Sequence, residues 1–548
     1  MRIRRTGIGL ALAAAGSLAI LWLTNIPLGV PGEWAWSRIP TVSAEWTLLM
    51  LGWVSAAVVG AVYLGFAVVG STRLARAGRV ESAAWLAGLC AMAFAWVWAL
   101  QESPARQQYA LGKSGWVLYY PAHEGYFEQA RYEMRDVSSY LAGYEKQMAR
   151  GDYLHLGTHP PGLILFHRAC INLCTAFPAL SDLLHQTEPP SFRDAMDVTA
   201  TTELRGRQPI TPTDAAAIWL AALITQGLAV ATLIPLFLLV RRTDSPTTSW
   251  WTAAIWPLVP ALAIFLPKSD ALLPFFGLLF LWLWLEGFRR GSLALCALSG
   301  IVFFVGMCLS LAILPVALAA VLLTVWEALL CNRDERVSPF YRAWALRVAA
   351  AAAGWEIAIA LAWMLGRINL LAVWQWNLRN HAAFYEHYTR TYWKWLLVNP
   401  LETLFALGAP AAIAVIISFR NRLSSGWRIR AMGPYWCLTA TWALLWLSGK
   451  NMGEAARLWL IFMPWAVWLA SGFFVRPSPS DDHNGPCVRR LAAVLFVFQM
   501  VVAIGTVTRV TGFDFPEVPE TKTVAVREDF QVGSSPSLAA NAVPSTQR

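Results

Sequence analysis

The chain has 548 residues, of which 57% are hydrophobic and only 14% charged, and it carries a net charge of +10. A mean hydropathy of +0.48 and repeated apolar runs of about 20 residues exclude a string of soluble domains and indicate an all-α, polytopic membrane protein. The positive charge does not point to nucleic acid, because the arginines are dispersed through short loops, where the positive-inside bias accounts for them.

In chain order, Arg2, Arg4 and Arg5 precede an apolar run from about Gly7 to Leu23. The run is long and no small-residue cleavage site follows it, so it reads as a first membrane helix rather than the core of a signal peptide. Further runs fall at roughly 46–70, 83–101, 214–240, 249–266, 271–288, 292–310, 315–330, 344–365, 400–419, 432–448, 457–474 and 489–508. That predicts about 13 spans, with only a kink at Pro315 dividing the 292–330 pair. Tryptophans recur at run ends (Trp22, Trp46, Trp98, Trp250, Trp344, Trp393, Trp395), as side chains anchored at headgroup level do. The cysteines are scattered, mostly inside apolar runs, and read as packing residues; Cys170 and Cys174 stand one helical turn apart, where a disulfide would distort the chain.

With the N-terminus in the cytoplasm, one set of segments collects the arginines, from Arg73, Arg76 and Arg79 through Arg241, Arg242, Arg289 and Arg290 to Arg489 and Arg490. The short opposite segments carry only Arg38, Lys268 and Lys450. This asymmetry predicts a multi-pass protein of the cytoplasmic (inner) membrane whose long polar interval, residues 102–213, is extracytoplasmic. The same side would hold Pro267-Lys268-Ser269-Asp270, the amphipathic stretch 367–399 with its interfacial segment Trp374–Lys394, and Gly449–Glu454. Residues 1–508 thus form one membrane domain, and 509–548, polar and rich in Pro, Ser and Thr, read as a disordered tail on that side. No internal repeat of the transporter kind is visible.

Interval 102–213 holds four of the eight histidines, His123, His155, His159 and His167, and the carboxylates Glu124, Glu128, Glu133, Asp136, Glu145 and Asp152. In it, His123-Glu124-Gly125-Tyr126-Phe127 resembles the Asp-Glu-x-Tyr-Tyr signature of the glycosyltransferase C superfamily, to which protein O-mannosyltransferases and the aminoarabinose transferase of lipid A belong. Thr158-His159-Pro160-Pro161-Gly162 resembles the family's second motif, and Gly453-Glu454-Ala455-Ala456-Arg457-Leu458-Trp459 a Glu-x-x-Arg element of some bacterial members. The resemblance implies a membrane enzyme that takes a sugar from a polyprenyl-phosphate donor outside the cytoplasm. The chain departs from the pattern in having His123 at the first acidic position and two apparent helices between the first helix and the motif loop.

Sugar transfer needs a group that takes a proton from the acceptor hydroxyl and cations beside the phosphate leaving group. Glu124 is the first candidate for the base and His123 the second; the bland alternative is that Glu124 caps or salt-bridges an interfacial helix. His159, in a turn fixed by two prolines and a glycine, together with Lys268, Arg390, Lys450, Glu454 and Arg457, is a candidate for donor binding. Set against these roles are a structural helix start at 158–162, snorkelling by Lys450 and Arg457, a local Lys268–Asp270 ion pair and ordinary anchoring by the 374–394 segment. Asp136 and Glu128 read as a solvated helix face. No histidine pair has ligand spacing except His155 and His159, which Gly157 interrupts, so metal dependence stays open. The implied partners are a polyprenyl-phosphate-linked sugar and membrane lipid. A transporter or flippase of lipid-linked sugars, for which Glu356 is the one mid-helix carboxylate, and an inactive scaffold of the same fold are the rival readings.

Overall fold

In the computed structural model, which describes residues 2–513 apart from 75, 122, 152–155, 202–207, 332–336, 425–428 and 475–485, helix dominates. Among the described residues 8 helices are long and apolar enough to cross a membrane: Arg4–Leu23, Ser43–Arg73, Arg79–Gln101, Pro212–Val240, Ser269–Arg290, Leu311–Ala328, Arg342–Gly366 and Val488–Val507. Two further pairs qualify only when each is taken as one bent span, which makes up to 10 by length and composition, against the 13 apolar runs of the sequence.

The difference lies in where the backbone breaks. Run 249–266 is divided by Pro257 and Pro260 into Pro246–Ile255, a tight turn at Trp256–Leu258 and the short helix Pro260–Phe265. Run 292–310 forms Leu293–Leu309, which ends because Ser310 is extended and its hydroxyl accepts from Ala312 N at 3.2 Å. Pro315 is not the break; it is the second residue of helix Leu314–Cys331, where a missing N–H costs nothing. Run 400–419 belongs to Tyr392–Leu407 and Ala409–Leu423, which meet at 106° about Gly408, a residue with φ of 92°. Run 457–474 is a chain of short turns from Ala455 to Phe473, and run 432–448 lies in helix Ile429–Leu447, outside the 8. The interval 102–213 contains a second bent pair, Gly162–Ala176 with Pro178–Thr187 at 107°, which hydropathy had not suggested.

Glycines set how closely some helices cross. A Cβ on Gly300 would stand 1.9 Å from Ala351 O, and one on Gly354 would stand 2.1 Å from Ala297 O, so helices Leu293–Leu309 and Val337–Gly366 touch backbone to backbone. Elsewhere arginines tie helix ends together. Glu286 accepts from Arg242, Arg289 and Arg290, Arg242 also reaches Glu327 at 2.9 Å, and Arg422 pairs with Asp244. The arginine-rich segments expected on one side of the membrane therefore meet one another.

Helix Arg2–Leu23 packs on Pro486–Val507, and the hairpin that follows it, Leu28–Val30 with Trp34–Arg38, is antiparallel. Val510–Thr511 adds a third strand through Ser37 and Arg38, flanked by Ile39 N donating to Arg509 O at 2.8 Å. Residues 509–513 are thus part of the fold, which corrects the expected start of the tail; residues 514–548 lie outside the described ones, as do Asp152 and His155.

Candidate functional site

The polar segments expected on the other side of the membrane also converge, and Glu124 lies where they meet. Just before it the chain turns tightly, with His123 N and Glu124 N both donating to Tyr120 O, at 3.0 and 3.2 Å. Gly125 takes the left-handed conformation, φ 75°, that opens the next helix at Tyr126. That helix widens at once, Met134 N reaching Gln129 O five residues back at 2.9 Å, a bulge of the kind often found at functional sites.

The turn directs the Glu124 side chain inwards, where it is fully buried. Oε1 accepts from Ser269 N at 2.6 Å, so one oxygen caps the start of helix Ser269–Arg290, a helix of membrane-spanning length rather than an interfacial one. Oε2 is buried with no hydrogen-bond partner. Burial pushes the carboxyl up to about 7; the Lys268 charge and the bond from Ser269 oppose that rise, and Asp270 adds to it. Lys268 is itself 8% exposed. Burial, with the Arg457 charge beside it, pushes its ammonium down to about 8 against the pull of Asp270, Glu124 and Glu454.

Arg457 closes the cluster, with Asp270 at 3.5 Å and Glu454 in an i,i+3 pair. Asp270 is therefore paired with Arg457, not with Lys268 as a local ion pair would have it. Arg457 is aimed by a strained backbone: Gly453 and Glu454 have φ of 90° and 53°, a cost that a non-glycine residue bears only where its surroundings fix it. Nε of Arg457 and Nε of Arg390 are both buried without partners. Arg390 lies against Gly453, where a Cβ would stand 3.2 Å from its Nε.

His159 reaches the cluster through Tyr126, their rings edge-on at 5.8 Å, and its Nδ1 is 3.0 Å from Thr158 Oγ1. Burial, then the charges of Glu124 and Asp270, hold the Tyr126 hydroxyl well above the usual phenol range, so it stays protonated. The 156–162 turn is pinned from helix Leu370–His387. Asn377 Nδ2 donates to Gly157 O at 2.9 Å and His159 O at 3.3 Å, and Asn380 Nδ2 donates to Gly157 O at 2.8 Å and Met148 O at 3.0 Å. Tyr144 adds a hydroxyl to His159 O at 3.0 Å.

Glu124, Lys268, Glu454 and Arg457 are thus brought together, with His159 and Arg390 at the edges. Lys450 is exposed, and its carbonyl accepts from Tyr385 at 2.5 Å. The His123 ring packs edge-on against Phe513 at 5.9 Å. Asp136 is exposed, and instead of lying on a helix face it caps helix Val137–Met148, accepting from Ser139 N at 2.7 Å. Glu356 is exposed on its helix surface.

Sequence reasoning missed Glu33, at the hairpin tip. Its carboxylate accepts from Thr391 N at 2.8 Å, Thr391 Oγ1 at 2.6 Å, Lys394 Nζ at 3.1 Å and Trp395 Nε1 at 2.8 Å, and its carbonyl accepts from Arg390 at 2.8 Å. Removal from water works against its charge, yet these donors hold the carboxyl at about 2. No local pattern marks Glu33; only its partners do.

Chemically, the cluster offers a carboxyl that titrates near neutrality, with one oxygen free, among cations able to neutralise an anion. Among the described residues no group of three or more His, Cys, Asp or Glu side chains converges as a metal site requires. Compared with known proteins, the chain matches no family model, and no curated protein shows significant similarity to it.

Proposed function

We propose that the chain is a membrane glycosyltransferase that moves a sugar from a polyprenyl-phosphate donor to an acceptor outside the cytoplasmic membrane. The observation that carries this reading is the buried Glu124 carboxyl, one oxygen fixed by Ser269 and the other unpartnered, beside Lys268 and Arg457. Glu124 Oε2 takes the proton from the acceptor hydroxyl as it attacks the sugar. Lys268 and Arg457, with Arg390 at the rim, neutralise the phosphate as it leaves. His159 and Tyr126 border the reacting sugar, and the membrane helices receive the polyprenyl chain. A transporter reading draws less support, because Glu356 lies exposed on its helix surface. The departure that suggested an inactive scaffold, His123, packs on Phe513.

The test is transfer from a polyprenyl-phosphate sugar by the purified chain in liposomes, followed against pH. Glu124 must be ionised to accept a proton, so activity rises with pH through the raised value near 7. Lys268 must be protonated to neutralise phosphate, so activity falls as pH passes the lowered value near 8. The expected profile is a narrow bell whose two limbs belong to the coupled pair rather than to either residue alone. A profile flat over about pH 6–9 removes this pair from the chemistry, and absence of transfer with any such donor ends the reading.

Its sidedness has a separate expected result. A cysteine placed at the exposed Ser138 reacts with a membrane-impermeant thiol reagent in intact cells, whereas one placed at Val80, 86% exposed, reacts only after lysis. The opposite pattern inverts the topology and takes the site away from the extracytoplasmic donor.

A further inference from the structure

Apart from the charged cluster, a groove with a cavity volume of about 150 Å³ lies among the end of helix Arg2–Leu23, the chain that follows it, Ile264–Phe265 and helix Tyr392–Leu407. Its walls are almost wholly apolar, with Leu21, Phe265 and Phe405 among them. Glu402 and Thr506 also line it, 7% and 2% exposed, and each has an atom with no hydrogen-bond partner: Glu402 Oε2 and Thr506 Oγ1. The other Glu402 oxygen is committed, accepting from Trp36 Nε1 and from Ala456 N at 3.0 Å. A helical threonine ordinarily satisfies its hydroxyl on the carbonyl one turn back; Thr506 does not. Two buried polar atoms without partners in an otherwise apolar wall are an arrangement that a ligand's polar end completes.

The surroundings decide what that ligand is. Helices Arg4–Leu23 and Val488–Val507, the second carrying Thr506, both have the length and apolarity of membrane spans. Ile26 and Leu401 of its lining are exposed apolar side chains, as a surface that faces lipid chains would present. No lysine, arginine or histidine lines it. A phosphate or carboxylate head would therefore meet the Glu402 carboxyl with no countercharge. A hydroxyl donates to Oε2 and exchanges a bond with Thr506 Oγ1. We infer that this groove binds a long-chain membrane lipid by an uncharged, hydroxyl-bearing head held between Glu402 and Thr506. It is a lipid site separate from the cation-lined one assigned to the phosphate donor, and it does not depend on sugar transfer. Ala456 forms part of its wall, and Arg457 is the next residue, so the groove's polar end backs directly onto the charged cluster.

Photo-crosslinking of the full chain in detergent tests this, with a diazirine-bearing hexadecanol in one arm and the corresponding hexadecyl phosphate in the other. The alcohol is expected to label peptides carrying Leu401 or Phe405, and the phosphate to label them far less. Leu401→Trp, which fills the groove from an exposed position, abolishes the labelling. Thr506→Val removes an oxygen that bonds nothing in the protein, so the fold is kept, as an unchanged melting temperature would show, while labelling falls by about fivefold, the worth of one hydrogen bond. Equal labelling by the phosphate overturns the class of lipid. Labelling unchanged in both variants means simple partitioning at the surface and overturns the site.

Discussion

Glu124→Gln lowers turnover by about 10²-fold or more while the donor still binds. Glutamine keeps an oxygen for Ser269 N, the 2.6 Å bond that caps the following helix, so the site keeps its shape. What it loses is the unpartnered Oε2 and, with it, proton-accepting power. His123→Asn costs less, because that ring packs on Phe513. Turnover of both variants and donor affinity of each, measured side by side, check this. If the ranking is reversed, the base is His123. Near-normal turnover in both takes proton abstraction away from this turn.

Arg457→Met raises the donor's Kd by roughly 30-fold or more, as loss of one buried, charge-assisted contact does. It also strands Asp270 and Glu454, so the fold loses stability along with binding. Arg457→Lys separates the two effects. Lysine restores a positive charge between the carboxylates but cannot grip phosphate in a fork, so it recovers melting temperature more fully than donor affinity. Unchanged donor affinity in Arg457→Met makes the residue an anchor and shifts the phosphate to Lys268 or Arg390.

Hydropathy alone located the helices long and apolar enough to cross a membrane, because burial in lipid demands long apolar runs and little else. It could not separate a span from two half-spans. Pro257 and Pro260 break a run as apolar as its neighbours, and Ser310, extended after one helix, caps the start of the next turn, which hydropathy does not register. The bent pair at 162–187 went unnoticed because its first helix emerges directly from the polar turn it supports.

The charged cluster was legible in part. Lys268, Glu454 and Arg457 are rare polar residues next to apolar runs, where burying such groups is costly; Glu124 lies within the polar interval 102–213 and stood out through the motif it forms with its neighbours. Asn377 and Asn380 were missed, although their spacing of three residues on a helix puts them on one face, from which they serve the same turn. Glu33 and Glu402 were not legible. Each is an ordinary glutamate until its partners arrive from a distant part of the chain, and no window of local sequence contains both ends of such a contact.

The hairpin tip carries a consequence for how the molecule is made. Glu33 is synthesised 358 residues before Thr391, the first donor it grips. At roughly 5–20 residues per second, its carboxylate waits on the order of 20–70 s during translation with those bonds unmade. Arg390 receives its seat on the Glu33 carbonyl only after that interval, and strand Trp34–Arg38 stays open at one edge until Val510–Thr511 is translated. The charged cluster, whose last member is Arg457, is fully translated before that strand pairs, so a chain stalled before residue 510 holds every residue of the cluster beside an unfinished sheet.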